Sequence, residues 1–298
     1  MAAEPVQKST VDHIATSDRE AKYIIEDIRE AKNHVLLIPP RFDPGQLEIT
    51  SPPGNEEVYV GLFTSGSTGS PKLIWNRRSA IVENGRISQS LYDISPQMEL
   101  LIIASPWHVA GLSWALMAEE AGNNYQITVP RIEKVSEWNE LIHSMQPDML
   151  LTVPSVLRYL YGYSDWFVPR IAYGGASLLS EDYEKLAPHG HMLYQGYGQT
   201  EAGGVISAHK RSLLDEPDMN EAACVGVPPS PISVSCRGFR ENPEPVSVQS
   251  PTAVYKGWYD TGDRGFMDEA GKLYLKGRND RPMGNCNTIT AVTEVVHK

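Results

Sequence analysis

The sequence has few cysteines, no excess of basic residues and no long apolar run. Its three cysteines, Cys224, Cys236 and Cys286, show no Cys-x-x-Cys spacing, which argues against a disulfide framework or a cysteine metal site and fits a reducing intracellular compartment. The net charge of −11 argues against a dedicated nucleic-acid-binding protein. No apolar run reaches membrane-spanning length, and the polar, acidic N-terminus is not typical of a signal peptide. We therefore expect a cytoplasmic protein that binds neither nucleic acid nor a membrane.

Strand and helix patterns alternate over most of the chain from residue 58 onward. A chain of 298 residues can form one or two domains with a large core. The sequence predicts strands at 58–63, 99–104, 125–129, 148–153, 170–173 and 191–194, and helices at 112–121, 135–144, 155–161 and 180–186. This alternation predicts βαβ units, and hence an α/β fold of layered, mostly parallel sheets with helices.

The pattern differs toward both ends of the chain. A helix is predicted at 21–31 and a short strand at 34–39, followed by Pro-rich loops. After about residue 205 the helical periodicity fades, and short alternating segments at 232–236, 245–249 and 272–275 indicate a smaller β-rich subdomain. We therefore divide the chain into an N-terminal extension with a short subdomain (1–56), an α/β core (57–205), a β-rich subdomain (206–276) and a final segment (277–298).

The segment from Phe63 to Lys72 combines hydroxyl side chains, two glycines, a proline and a lysine, directly after a predicted buried strand. Gly66 and Gly69 allow the backbone to approach a ligand closely, so that successive N–H groups can bind an anion. Lys72 adds a compact positive charge, and the hydroxyl donors are Thr64, Ser65, Ser67, Thr68 and Ser70. The segment is a candidate phosphate loop, although a flexible Ser/Gly linker has the same composition. It is not a Walker loop, because Ser70 and Pro71 separate the second glycine from the lysine.

A second segment, Tyr194–Glu201, ends a predicted strand in glycines, an aromatic residue, a hydroxyl and a carboxylate. The face of Tyr197 can stack on adenine. The Thr200 hydroxyl can contact a phosphate, and Glu201 can hold Mg²⁺, which prefers oxygen ligands and phosphates. The segment is therefore a candidate nucleotide site, and the alternative is a glycine-rich turn beside a core tyrosine.

Three further segments are weaker signals by themselves. Thr261–Asp263, followed by Gly277 and Arg278, is a simple turn when taken alone. Tyr173–Leu178 contains a Gly-Gly-Ala run, and Pro106–Leu112 contains His108. A lone histidine of this kind is more often structural than functional.

Taken in order, these segments resemble motifs of the adenylate-forming superfamily, which includes acyl- and aryl-CoA ligases, peptide-synthetase adenylation domains and luciferases. The resemblance covers about residues 58–281 and includes a Val-Gly-x-Pro turn at Val225–Pro228. The segments at 63–72, 106–112 and 256–271 are most similar to compact o-succinylbenzoate–CoA ligases. The resemblance implies ATP-dependent activation of a carboxylic acid, aryl or small acyl, to an acyl-adenylate with release of pyrophosphate. Transfer to CoA, a carrier protein or an amine would follow, with ATP, Mg²⁺ and possible CoA as cofactors.

The resemblance also implies a role for each matching residue. Lys72 would hold the β- and γ-phosphates, Thr200 would stabilise charge at the α-phosphate, and Glu201 would bind Mg²⁺. Asp263 would accept both ribose hydroxyls, and Arg278 would support the ribose and the phosphate. The other implied nucleotide-binding residues are Thr64, Ser65, Gly66, Ser67, Thr68, Gly69, Gly175, Ala176, Gly196, Tyr197 and Gly198. The implied acid pocket contains His108, Gly174 and Gly203.

Two departures from the family pattern leave three hypotheses open. The region before the phosphate loop is shorter than in most relatives. Arg281–Asn287 replaces the family's Gly-Gly hairpin, and we interpret 277–298 as a hinge remnant without the mobile C-terminal domain that supplies a catalytic lysine. The chain could activate an acid for CoA or another acceptor, or it could be a ligase whose C-terminal domain is a separate partner. It could also be a nucleotide- or acyl-binding module with no complete catalytic cycle.

Overall fold

A computed structural model describes residues 11–15, 21–40, 42–43, 47–55, 57–65, 71–215, 223–230, 232–237, 259–278 and 287–293. These residues form three sheets. The first sheet has the order β1-β2-β3-β4 and consists of β1 (Val11–Ala15), β2 (His34–Ile38), β3 (Tyr59–Ser65) and β4 (Pro71–Arg77). Strands β1 to β3 are parallel, whereas β4 is antiparallel to β3 and brings Lys72 opposite Thr64.

The central sheet has six strands in the order β10-β9-β8-β7-β5-β6. Its strands are β5 (Glu99–Ile103), β6 (Asn124–Thr128), β7 (Met149–Thr152), β8 (Arg170–Gly174), β9 (Met192–Gln199) and β10 (Gly204–Ser212). All neighbours are parallel except β9 and β10. The middle strands are apolar over consecutive residues, as in Leu100–Ile103, because helices cover both faces of the sheet.

Six α-helices occur among the described residues: α1 (Ala21–Glu30), α2 (Arg78–Leu91), α3 (Val109–Ala121), α4 (Val135–Met145), α5 (Pro154–Leu160) and α6 (Ser180–Leu186). Helices α1, α2 and α3 share the largest apolar cluster with the first sheet and one face of the central sheet. Helices α4, α5 and α6 cover the opposite face, where Trp138, Leu157 and Tyr183 are buried. Within the described part of the chain, no helix has the length and apolar character needed to cross a membrane.

The third sheet is antiparallel and packs beside the end of the central sheet. Its order is β11-β14-β12-β13, with β11 (Ile232–Arg237), β12 (Tyr259–Met267), β13 (Leu273–Arg278) and β14 (Asn287–Thr293). A small cluster including Tyr197, Ile206, Val225 and Leu273 joins it to β9 and β10. Gly226 permits this approach, because a Cβ there would lie 1.8 Å from the Ala208 carbonyl oxygen and φ is +81°.

The structure confirms the α/β fold class with mostly parallel strands in its central sheet. Most predicted elements match observed ones within a few residues, whereas β1, β4, α2, β10, β12 and β14 were not predicted. Strand pairing crosses the expected boundary at 56/57, since β2 pairs with β3, and the boundary at 205/206 falls inside β10. Residues 287–293, within the proposed hinge remnant, pair with β11 and β12. The predicted segment at 245–249 lies outside the described residues, and the division into folding units stays a prediction.

Candidate functional site

A cavity of about 600 Å³ opens at the carboxyl ends of the parallel strands. The residues that follow β5, β7, β8 and β9 line it, as expected for ligand sites of open α/β sheets. Nine of the predicted site residues are in its lining: Thr64, His108, Gly174, Gly175, Ala176, Gly196, Tyr197, Gly198 and Thr200. The fold therefore brings together segments that are far apart in sequence.

Glycines form one bare edge of this cavity. A Cβ at Gly198 would lie 2.1 Å from the Gly204 carbonyl oxygen, so a larger residue would push β9 and β10 apart. A Cβ at Gly196 would lie 2.2 Å from the hydroxyl of Tyr92. Gly175 has φ of +88° and open space where a side chain would be. The edge is flat and accessible, which suits a planar ring lying against the backbone.

A buried carboxylate lies beside the same edge. Asp263 is 7% exposed, and its Oδ2 accepts hydrogen bonds from the Tyr197 hydroxyl at 2.7 Å and from Gln199 Nε2 at 2.6 Å. Gln199 Nε2 also donates to the Thr261 carbonyl at 2.8 Å. Asp263 is opposite Arg278 in the register of β12 and β13. The carboxylate is therefore held in place at the end of β9, where it can accept hydrogen bonds from sugar hydroxyls.

An ion pair lies where β4 meets the turn after β9. Lys72 Nζ is 3.8 Å from Glu201 Oε1, and the two side chains are 43% and 19% exposed. The turn, a 3-10 helix of Thr200–Ala202, is fixed by a hydrogen bond of 3.0 Å from Asn76 Nδ2 to the Thr200 carbonyl. Both charged groups remain partly accessible. A phosphate can therefore take the place of Glu201 beside Lys72, and a cation can take the place of Lys72 beside Glu201. One carboxylate beside a phosphate is sufficient for Mg²⁺, which usually keeps several waters.

Two hydrogen bonds from Asn84 position the start of β10. Its Nδ2 donates to the Val205 carbonyl at 2.8 Å, and its Oδ1 accepts from the Val205 N–H at 2.7 Å. Gly203 and Gly204 precede this contact with φ values of +73° and +141°, which a side chain would not readily adopt. The pair of bonds fastens α2 to the cavity edge formed by Gly204 and Val205.

A charged pair also reaches the cavity lining. Arg158 donates to both oxygens of Asp182, at 3.2 and 2.8 Å, and the Leu179 N–H donates to Asp182 Oδ2 at 2.8 Å. Burial acts to raise the pKa of Asp182, but the hydrogen bonds from Arg158 and Leu179 outweigh it and the pKa lies below its ordinary value. The Arg158 charge at the cavity is thus already paired.

Four other predicted residues lie near the cavity without lining it: Lys72, Glu201, Gly203 and Asp263. The backbones of Ser65 and Arg278 end β3 and β13. Gly66, Ser67, Thr68 and Gly69 lie outside the described residues. The roles assigned to all of these residues stay predictions.

Sequence reasoning missed several residues of the site. Tyr92, Trp114 and Ser88 line the cavity. Ser88 and Tyr92 continue the buried stripe of α2, which includes Ile81 and Asn84, and this spacing is the available sequence signal. Gln199 lay inside a motif, but its partner Asp263 is 64 residues away, and no local pattern indicates that contact.

Comparison with known proteins agrees with this arrangement. A family model described as AMP-binding enzyme matches residues 2–240. A long-chain-fatty-acid–CoA ligase, FadD13 of Mycobacterium tuberculosis, is 25% identical over 252 residues, covering 76% of this chain and 48% of the relative. A 2-succinylbenzoate–CoA ligase of Oceanobacillus iheyensis is 25% identical, covering 76% and 50%. The chain thus spans about half the length of the curated relatives that it matches.

Solved structures support the same fold. Unliganded o-succinylbenzoate–CoA synthetase (MenE) from Bacillus subtilis superposes with a TM-score of 0.70 at 18% identity, covering 95% of this chain and 75% of that one. The resemblance inferred from the motifs is confirmed, since the family model covers most of the sequence. This chain belongs to the AMP-binding enzyme family.

Proposed function

We propose that this chain binds ATP and a carboxylic acid in the cavity and activates the acid to an acyl-adenylate, which passes to CoA or another acceptor. The observation that carries the proposal is the Asp263 carboxylate, which Tyr197 and Gln199 hold beside the glycine edge. A flat slot next to a fixed acceptor for hydroxyls matches a nucleoside in shape and chemistry. Family membership and the names of the relatives support the reaction class.

Each part of the nucleotide has a proposed partner. The adenine lies along Gly175, Ala176 and the backbone at Gly196–Gly198, with Tyr197 at its face. The ribose hydroxyls donate to Asp263, and Arg278 supports the ribose and phosphate. The hydroxyls and backbone of the loop hold the phosphates, with the predicted residues Thr64, Ser65, Gly66, Ser67, Thr68 and Gly69.

The reaction needs positioning and charge stabilisation, without a protein nucleophile. A carboxylate oxygen forms a bond to the α-phosphorus, and the bond from that phosphorus to the bridging oxygen of pyrophosphate breaks. Lys72 offsets negative charge on the departing pyrophosphate, and the Thr200 hydroxyl donates to the α-phosphate. Glu201 would hold Mg²⁺, which would supply further neutralisation of phosphate charge.

The acid and the acceptor are the proposed partners. His108, Gly174 and Gly203 border the acid pocket, which suits an aryl or small acyl acid. CoA, a carrier protein or an amine would accept the acyl group, and a separate protein could supply the C-terminal domain of the family. We place this chemistry in the cytoplasm, without a nucleic-acid or membrane partner.

Acid-dependent exchange of pyrophosphate into ATP tests the first half-reaction. We expect exchange with some member of a broad acid panel, without CoA. Measurable ATP binding without exchange for any acid would instead favour a binding module with no complete catalytic cycle. Adding CoA, carrier proteins and amines to an active mixture then identifies the acceptor.

Calorimetric titration with ATP and AMP tests the nucleotide site. Asp263→Ala removes the proposed ribose acceptor, and we expect affinity to fall by at least about tenfold. Asp268→Ala is the matched control, because Asp268 also accepts two hydrogen bonds, from the Lys272 N–H and the Tyr274 hydroxyl, but both donors belong to the hairpin of β12 and β13, whereas those of Asp263 lie on β9. Equal affinities of the two variants would count against the assigned site.

A further inference from the structure

Two aromatic side chains form the wall of the cavity between α2, α3 and β9. Tyr92 is the residue directly after α2, and Trp114 lies within α3. Both line the cavity, and their rings meet edge to face with centroids 6.5 Å apart. The Tyr92 hydroxyl lies against Gly196 of β9, which also lines the cavity. Any acid that extends from the proposed α-phosphate position toward α2 therefore meets this pair.

The Tyr92 hydroxyl is a buried donor without an acceptor. Tyr92 is 1% exposed and its hydroxyl is hydrogen-bonded with Trp114, but within the described part of the chain no atom accepts a hydrogen bond from it. The neighbouring Tyr194 differs, because its hydroxyl donates to Asp93 Oδ2 at 3.0 Å. Tyr92 lines the cavity, so its hydroxyl can donate to an acceptor atom of a ligand there.

The hydroxyl also keeps its proton. Burial raises the pKa of Tyr92, and hydrogen bonding from Trp114 lowers it by a smaller amount. Two serines of the same wall are already used, since Ser88 donates to the Asn84 carbonyl at 3.0 Å and Ser113 to the Ala110 carbonyl at 3.1 Å. Tyr92 is therefore the hydroxyl of this wall that is available to a ligand.

The lining favours a neutral ligand group at this point. Among the described residues that line the cavity, Arg158 carries the one formal charge at pH 7 with histidine neutral, and Asp182 pairs it. A second carboxylate on the acid would lose its hydration without gaining a counter-charge, which is costly. A keto, hydroxyl or ether oxygen loses less and can accept the Tyr92 proton in a hydrogen bond.

We propose that the acid is aromatic and carries a neutral hydrogen-bond acceptor remote from its reacting carboxylate, and that the Tyr92 hydroxyl donates to this acceptor. The proposal rests on the proposed function, because it assumes that the acid occupies this cavity. The aromatic ring lies beside Tyr92 and Trp114, with its acceptor atom at the Tyr92 hydroxyl next to Gly196. Tyr92 is a specificity-determining residue in this arrangement.

Matched pairs of aroyl-sulfamoyl-adenosines, which mimic acyl-adenylates, test the proposal by calorimetry without requiring turnover. Each pair carries either an acetyl or an isopropyl group at the same ring position, in meta and para series. We expect the better acetyl analogue to bind about five- to tenfold more tightly than its isopropyl partner. Tyr92→Phe should abolish this preference. Tyr194→Phe, which removes a hydroxyl that Asp93 binds, should retain it.

The outcomes separate this proposal from the proposed function. Equal binding of both analogues to the natural chain, with AMP also bound, would overturn the acceptor proposal and leave acid activation standing. A preference that survives in Tyr92→Phe would overturn the role of Tyr92. Tighter binding of a carboxyl-substituted analogue would overturn the neutral acceptor. Failure of AMP and of every analogue to bind would overturn both proposals.

Discussion

Replacement of Asn84 by alanine should lower the free energy of unfolding more than most substitutions of a single polar residue do. Asn84 is 4% exposed and makes both a donor and an acceptor bond to the buried backbone of Val205. The alanine variant leaves the Val205 N–H and carbonyl without these partners. A buried polar group that loses its partner costs about 1–3 kcal/mol, so the two groups give about 2–6 kcal/mol. We expect a loss of about 3 kcal/mol, because water can reach part of this cavity edge.

Asn124→Ala is the matched control for this prediction. Asn124 also makes two hydrogen bonds, to both oxygens of Glu99 at 2.8 Å, but it is exposed on the edge strand β6. Its replacement should cost no more than about 1 kcal/mol, since water substitutes for the lost bonds. The backbone partners in the first case are covered by α2 and cannot be hydrated as easily.

Urea unfolding followed by fluorescence measures both variants. The midpoint for Asn84→Ala should fall well below that of the natural chain, with an unchanged slope, because the surface exposed on unfolding stays the same. A loss below about 1 kcal/mol, or one equal to that of Asn124→Ala, would refute the reasoning that buried backbone groups dominate the cost. A changed slope would instead show that the variant alters the native or unfolded ensemble.

Three further predictions concern the site and its surroundings. Gly198→Ala should lower the free energy of unfolding by about 1–3 kcal/mol, since its Cβ would lie 2.1 Å from the Gly204 carbonyl oxygen; an unchanged thermal midpoint would contradict this. Lys72→Ala should slow acid-dependent pyrophosphate exchange roughly a hundredfold, because it removes the positive charge that stabilises the departing pyrophosphate. A normal rate would exclude that role. Arg158→Ala should destabilise the chain most at neutral pH. The lowered pKa of Asp182 gives stability that is present above the unfolded pKa of about 4 and lost as pH falls through the pKa of the folded state. The difference in the free energy of unfolding between the natural chain and the variant should therefore become smaller in acid. Parallel stability curves between pH 7 and 3 would contradict the assigned pairing.

The sequence predicted the parallel core well because burial on both faces leaves a simple pattern. The apolar run at Leu100–Ile103 is typical of a short strand buried on both faces, and the intervening helices have regular periodicity. Helix α2 was harder to predict, because its buried stripe includes Asn84, Gly85 and Ser88, which serve close packing and hydrogen bonding more than apolar burial.

Cavity residues that belong to one continuous segment could be predicted from the sequence, whereas those that meet only through tertiary contacts could not. Glycines next to Tyr197 and Thr200 form one continuous segment, so their shared position at the cavity follows from the end of one strand. No sequence motif identifies Tyr92 as a site residue, because its role depends on the residues that surround its hydroxyl in the fold. Likewise, the partners of Asp263 come from a strand of another sheet.

The three hydrogen bonds that join β9 to β12 would make the proposed nucleotide binding and local folding interdependent. Tyr197 and Gln199 belong to the central sheet, whereas Thr261 and Asp263 belong to the third. If the third sheet opens locally, the proposed ribose acceptor leaves with it, so a bound nucleotide would suppress that opening by mass action. Amide hydrogen exchange in β12 would then report site occupancy directly. If Asp263 binds the ribose as proposed, affinity for the sugar cannot change without also changing how strongly the two sheets are joined.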